Sequence, residues 1–171
     1  MRALEPFSPA DAAAVAGWVT ALEEASRWAS MTTLPDAATF ERWHADPDVV
    51  PFVGREAGVL VAYGEIWEDR EEDEADLARL LVAPGARGRG LGRWLARSLA
   101  DEAHARGFAD VWLRVVPANE PAMRAYAAAG FVAATANEER AFNVGQPIAY
   151  RWLRDGTPTP ADVTGRQPRR A

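Results

Sequence analysis

Neither cysteine nor lysine occurs among the 171 residues. The first absence removes disulfides, a thiol nucleophile and thiolate metal sites. The second means that every fixed side-chain cation is an arginine. Histidine is nearly absent too: His44 and His104 are the only two, which leaves no set of ligands for a histidine-built metal centre. Long apolar runs are missing as well. The opening Met1 to Pro6 is interrupted by an acid and a proline, and no apolar signal-peptide segment follows it. The expected setting is therefore cytoplasmic, with no membrane and no metal. A net charge of -6 speaks against a nucleic-acid partner.

What is present is the composition of a globular domain, 49% hydrophobic and 26% charged, in a length that suits one core. One domain is expected over residues 1–155. The remainder, 156–171, is rich in Pro, Thr and Gly with Arg166, Arg169 and Arg170 near its end, and reads as a flexible tail. Arg2 to Pro6 reads as a short strand, followed by a helix start with Ser8 as cap, Pro9 in the first turn and alanine-rich helix to about Ser26. Asp36 caps a second helix carrying Phe40 and Trp43. Val49 to Gly54 and Val59 to Trp67 form a hairpin across Arg55 to Gly58. Glu68 to Asp76 reads as an acidic, solvated loop. Leu77 to Ala83 and Asp110 to Val116 read as buried strands around a helix from Leu91 to about Arg106, with Leu91, Leu95 and Leu99 on one face. A short helix from Asn119 to Gly130 and strands at Phe131 to Thr135 and Ile148 to Leu153 complete a mixed sheet with helices on both faces, an α/β or α+β fold. His44 and His104 read as helix-surface residues without partners. Trp28, Trp43 and Trp67 either fill core or line a groove.

The chemistry concentrates in Arg87-Gly88-Arg89-Gly90-Leu91-Gly92, lying between a strand and a helix start. Free N–H groups at a helix N-terminus, the helix dipole and a backbone without Cβ atoms make an anion site. It is no Walker A loop, which requires G-x-x-x-x-G-K-S/T. Nor is it a dinucleotide fingerprint, since its glycines are spaced G-x-G-x-G late in the chain.

Arg87, Gly90 and Gly92 match R-x-x-G-x-G, with Leu80-Leu81-Val82 before the turn and Asn119, Tyr126 and Gly130-Phe131 after it. In this pattern the chain resembles the GNAT family of acyl-CoA-dependent N-acetyltransferases. The subgroup nearest in pattern acetylates protein N-termini, including the ribosomal-protein alanine acetyltransferases. The resemblance implies a mostly antiparallel sheet of six to seven strands, splayed between two central parallel strands. It implies acetyl-CoA as cofactor and transfer of an acetyl group to a primary amine by direct attack. The turn of Arg87, Gly88, Arg89, Gly90, Leu91 and Gly92, with Arg93 just beyond, would hold the coenzyme A pyrophosphate. Leu80, Leu81 and Val82 would pair with the pantetheine arm, one N–H polarising the acetyl carbonyl. Asn119 would touch the cofactor, and Tyr126 would protonate the leaving thiolate. The acceptor would be a small amine or a peptide N-terminus, and the enzyme a monomer or homodimer.

One position departs from that subgroup. Arg114 stands where those enzymes carry a glutamate base, and a guanidinium is no base at neutral pH. Glu65 is the first alternative, Asp76 the second, and a water relay the third. The acidic run from Glu65 to Asp76 could also provide a negative field for a cationic amine. A non-catalytic acyl-CoA-binding module, or a protein whose loop takes a nucleotide, would use the same turn without transferring an acetyl group.

Overall fold

The computed structural model describes residues 1–157; the tail expected over 156–171 lies, beyond its first two residues, outside the described residues. Seven strands are formed among these residues: β1 (Arg2–Pro6), β2 (Val49–Glu56), β3 (Val59–Asp69), β4 (Glu74–Val82), β5 (Asp110–Val115), β6 (Phe131–Ala133) and β7 (Arg151–Asp155). They make one sheet in the order β1-β2-β3-β4-β5-β7-β6. All neighbours are antiparallel except β4 and β5. That parallel pair is hydrogen-bonded only from Glu74 to Leu77 against Asp110 to Leu113. Beyond it β4 runs on to Val82 and β5 to Val115 unpaired with each other, so the sheet opens between them.

Among the described residues six α-helices cover the two faces: α1 (Ala12–Ala16), α2 (Leu22–Ala29), α3 (Ala37–His44), α4 (Leu91–Ala105), α5 (Glu120–Ala128) and α6 (Ala136–Phe142). The crossover α4 lays Leu91, Leu95, Leu99, Ala96, Ala100 and Ala103 against Ile66, Leu77, Val111 and Leu113. Each such leucine contributes about 2 kcal/mol by its burial. A second core on the opposite face joins Val15, Ala25 and Phe40 to Val53 and Tyr63.

The chain departs from the sequence expectation in four places. The first helix stops at Gly17, the residue of lowest helix propensity in that stretch, and a separate α2 begins at Leu22. The acidic segment is a hairpin rather than a loop, because β3 continues to Asp69 and β4 starts at Glu74. Its charges did not prevent pairing: the Glu68 side chain is 5% exposed and meets Arg106 at 2.6 Å. The helix α6 was not foreseen, although Thr135 and Glu138 form a complete capping box at its start. Finally, both histidines have partners. His44 Nε2 lies 3.0 Å from the Tyr63 hydroxyl, and His104 Nε2 lies 2.9 Å from Asp155 Oδ2.

Asp155 ties β7 to α4. Arg97 donates to both of its carboxylate oxygens, at 2.8 and 2.7 Å. Burial alone would raise this carboxyl, but the donors Arg97, His104 and Thr157 outweigh it and hold it well below the ordinary carboxylate range. A depressed folded-state value adds stability above the unfolded value of about 4, and loses it as pH falls through the folded one. Asp155→Asn leaves Arg97 with only the exposed Asp101 as counter-charge and is expected to cost about 2 kcal/mol at pH 7. Urea unfolding should show that gap at pH 7 and a narrowing gap as pH drops from 4 towards 2. A constant gap would mean that the carboxylate charge contributes nothing.

Candidate active site

The opening between β4 and β5 is shaped by a bulge. Tyr63 pairs with Leu81 and Glu65 with Ala78, so Gly64 alone faces both Arg79 and Leu80. Arg79 takes a left-handed backbone, φ 50°, which a non-glycine residue holds only when its surroundings compensate. Here they do. Its guanidinium donates to Glu65 Oε2 at 2.8 Å and lies 3.6 Å above the Trp43 ring and 4.9 Å from that of Trp67. Its carbonyl accepts from Trp28 Nε1 at 2.8 Å. The three tryptophans thus fix the bulge, and Trp28 and Trp67 also line the cleft beside it.

Glu65, the carboxylate first expected as base, is fully buried. It accepts from the Tyr63 hydroxyl, from Trp67 Nε1 at 2.6 Å and from Arg79. Burial pushes its carboxyl up, but His44, Arg79, Tyr63 and Trp67 together bring it below the ordinary value. It lines neither of the clefts described below. A carboxylate so well supplied with donors, and so withdrawn, is a poor proton acceptor and a good anchor for Arg79.

On one side of the bulge lies a cleft of about 660 Å³. Its walls include Leu80, Leu81, Val82, Arg87, Gly88, Gly90, Leu91, Gly92, Arg93, Asn119 and Tyr126. Gly88 and Gly90 have φ of 77° and 76°, with no atom within 4 Å of where a Cβ would sit. No side chain caps α4, so the N–H groups of its first turn open onto the cleft. The same turn without α4's dipole behind it would hold an anion far less well. Arg87 reaches Val82 O at 3.2 Å and Glu24 at 2.6 Å. Arg89 differs from the other residues of the turn: its guanidinium leaves the cleft to pair with Glu56, so only its backbone can serve the site.

On the other side is a smaller cleft of about 240 Å³, whose lining includes Asp76, Arg79, Arg114 and Tyr150. Leu80, Asn119 and Tyr126 line both clefts and mark where they meet. Asn119 caps α5 through its side chain, which accepts from Ala122 N at 3.4 Å. Tyr126, half-buried, has no hydrogen-bond partner among the described residues, and burial raises its hydroxyl to about 12. It therefore keeps its proton at neutral pH, as a proton donor must. Burial likewise pushes the Asp76 carboxyl above its ordinary value, against the pull of Arg114. No cluster of potential metal ligands occurs among the described residues, and no described helix is long and apolar enough to cross a membrane.

Known proteins resemble this chain in sequence and in fold. A streptothricin acetyltransferase of Streptomyces lavendulae is 38% identical over 96 residues, 56% of this chain and 45% of that protein. A ribosomal protein bS18 alanine N-acetyltransferase of Salmonella typhimurium is 43% identical over 63 residues, 37% of this chain and 43% of that protein. The matched stretches thus span somewhat under half the length of these relatives. Among solved structures, an aminoglycoside acetyltransferase in complex with coenzyme A and kanamycin superposes with a TM-score of 0.69 at 20% identity, covering 90% of this chain and 94% of the other. A spermidine N-acetyltransferase from Vibrio cholerae in complex with coenzyme A and spermine gives 0.69 at 17% identity, over 90% and 92%. At those identities the likeness is one of fold. The acetyltransferase (GNAT) family model matches residues 16–131, more than half of the chain, and the chain belongs to that family.

Proposed function

We propose that this protein is an acetyl-CoA-dependent N-acetyltransferase acting in the cytoplasm on a primary amine. The observation that carries the reading is the uncapped start of α4 behind a glycine turn, opening into a cleft that meets a second one at Tyr126. The larger cleft suits the coenzyme: first-turn N–H groups and Arg87 and Arg93 for the pyrophosphate, and the unpaired edge of β4 from Leu80 to Val82 for the pantetheine amides. The smaller cleft is left for the acceptor.

In the reaction the neutral amine attacks the thioester carbonyl carbon. A C–N bond forms, the C–S bond breaks, the amine gives up a proton and the thiolate takes one. An N–H of the bulged strand aimed at the carbonyl oxygen would lower the barrier. Tyr126, protonated and at the junction, is our choice of acid for the thiolate. For the amine proton we favour Asp76, directly or through water, over Glu65. Asp76 lines the acceptor cleft and carries a raised carboxyl, whereas Glu65 is committed to Arg79. Glu65 is then a positioning residue that keeps the bulge in place.

Three measurements test this. Gly90→Asp places a β-carbon at a φ of 76° and a negative charge where the phosphate would lie, and should weaken coenzyme A binding at least 100-fold by calorimetry. Retained affinity would refute the loop assignment. Tyr126→Phe should lower kcat by about 100-fold in an assay of thiol release from acetyl-CoA with amine, at nearly unchanged coenzyme affinity; an unaltered kcat removes Tyr126 from the acid role. Asp76→Asn should lower kcat/KM about tenfold or more and flatten the acid limb of its pH profile, a limb lying above the usual carboxylate range because Asp76 is raised. An acid limb that survives the substitution would return the role to water. A module that merely binds acyl-CoA would take up the coenzyme yet release no thiol with any amine.

A further inference from the structure

The acceptor cleft presents three guanidinium groups, from Arg27, Arg79 and Arg114, and they are not equivalent. Arg79 is neutralised by Glu65 at 2.8 Å. Arg27 pairs with Glu23 one turn away on α2, at 2.5 Å. Arg114 enters no ion pair among the described residues. Its one hydrogen bond goes to a neutral group, from Nη1 to Gln146 Oε1 at 2.9 Å. The Tyr150 ring, 4.8 Å from its Cζ, and that of Trp152, at 5.8 Å, hold it. A guanidinium has five N–H donors in a fixed fork, so most of this one is still to be used.

The same cleft holds one carboxylate, Asp76, and it too enters no ion pair among the described residues. Asp76 is paired in register with Trp112, and Arg114 lies two residues further along β5. Side chains two apart on a strand share a face. Negative and positive groups therefore stand side by side on one wall, felt by each other but not in contact. Apolar surface from Trp28 and Trp67 flanks them.

Resting on the acetyl-transfer reading above, we propose that the acceptor is a small amino-acid-like zwitterion, its amine at Asp76 and its carboxylate on the free fork of Arg114. Arg114 is the residue that selects it. A volume of about 240 Å³ suits a molecule of that size with an apolar side chain. A polycation would have to bring positive charge against Arg114. A peptide N-terminus would bring an amine with a neutral carbonyl in place of the carboxylate, leaving the guanidinium without a counter-charge.

Thiol release from acetyl-CoA tests this on matched compounds: phenylalanine, tryptophan, leucine and methionine, each beside its decarboxylated amine and its C-terminal amide, with spermidine and an alanine-led peptide in the same panel. At least one amino acid should exceed its decarboxylated and amidated partners tenfold or more in kcat/KM. Arg114→Gln should collapse that ratio to within about threefold, through the KM of the amino acid rather than its kcat, and Arg114→Lys should restore part of it. Decarboxylated amines, spermidine or the peptide serving as well as the amino acids would overturn the inference while leaving acetyl transfer intact. A ratio that Arg114→Gln does not change would overturn the role of Arg114. No thiol release with any compound, by protein that binds coenzyme A, would overturn both this inference and the reading beneath it.

Discussion

The site depends on how β4 is bent. Left regular, β4 would continue its ladder along β3 without interruption, and the sheet would offer no step between the two clefts. The extra residue at Arg79 turns the strand and frees backbone groups that the ladder would otherwise use. A left-handed arginine is costly by about 1–3 kcal/mol. The cost is offset by an ion pair, two aromatic faces and an indole hydrogen bond to its carbonyl. These contacts come from three separate elements, with Glu65 and Trp67 both on β3, so the bulge forms only when α2, α3 and β3 have all assembled around it.

This explains why a carboxylate is buried at Glu65. An isolated charge there would be prohibitive. With Tyr63, Trp67 and Arg79 donating, its lone pairs are satisfied and the negative charge has its counter-ion. The pair gives geometric specificity more than net stability, since two desolvated charges roughly cancel their own attraction. Two acids that look alike in the sequence, eleven residues apart on adjacent strands, thus take different places, Glu65 inside the bulge and Asp76 on the cleft wall.

Much of this was legible beforehand. The hairpin of β2 and β3, the leucine stripe of α4 and the caps at Asp36 and Asn119 are local signals, and each led to the right element, whereas the cap at Ser8 opens only a 3-10 turn and a helix much shorter than expected. The turn at Arg87 to Gly92 carries its chemistry in its backbone, so its place in the cleft also followed from local pattern. What sequence could not give was partnership across the sheet. Glu65 and Asp76 are both acids in one acidic run. Only the register of β3 against β4, including the bulge, decides which faces Arg79 and which faces the cleft. The same holds for Arg89, whose turn to Glu56 depends on where the β2–β3 hairpin ends. Helix α6 is of another kind: Thr135 and Glu138 mark its start with a capping box, but its apolar residues are too few to form a periodic stripe.

The order of strands has a consequence for how the molecule is made. β7 is the latest strand among the described residues, yet it lies between β5 and β6. As a nascent chain emerges with its N-terminal parts first, the parallel half of the sheet and its crossover can assemble while β5 still shows a bare edge and β6 has nothing to pair with. Such an edge is an invitation to other chains. Sealing it falls to a five-residue strand that pairs with both neighbours and whose terminal aspartate is gripped from α4, so that clasp helps to close the edge at which other chains would add.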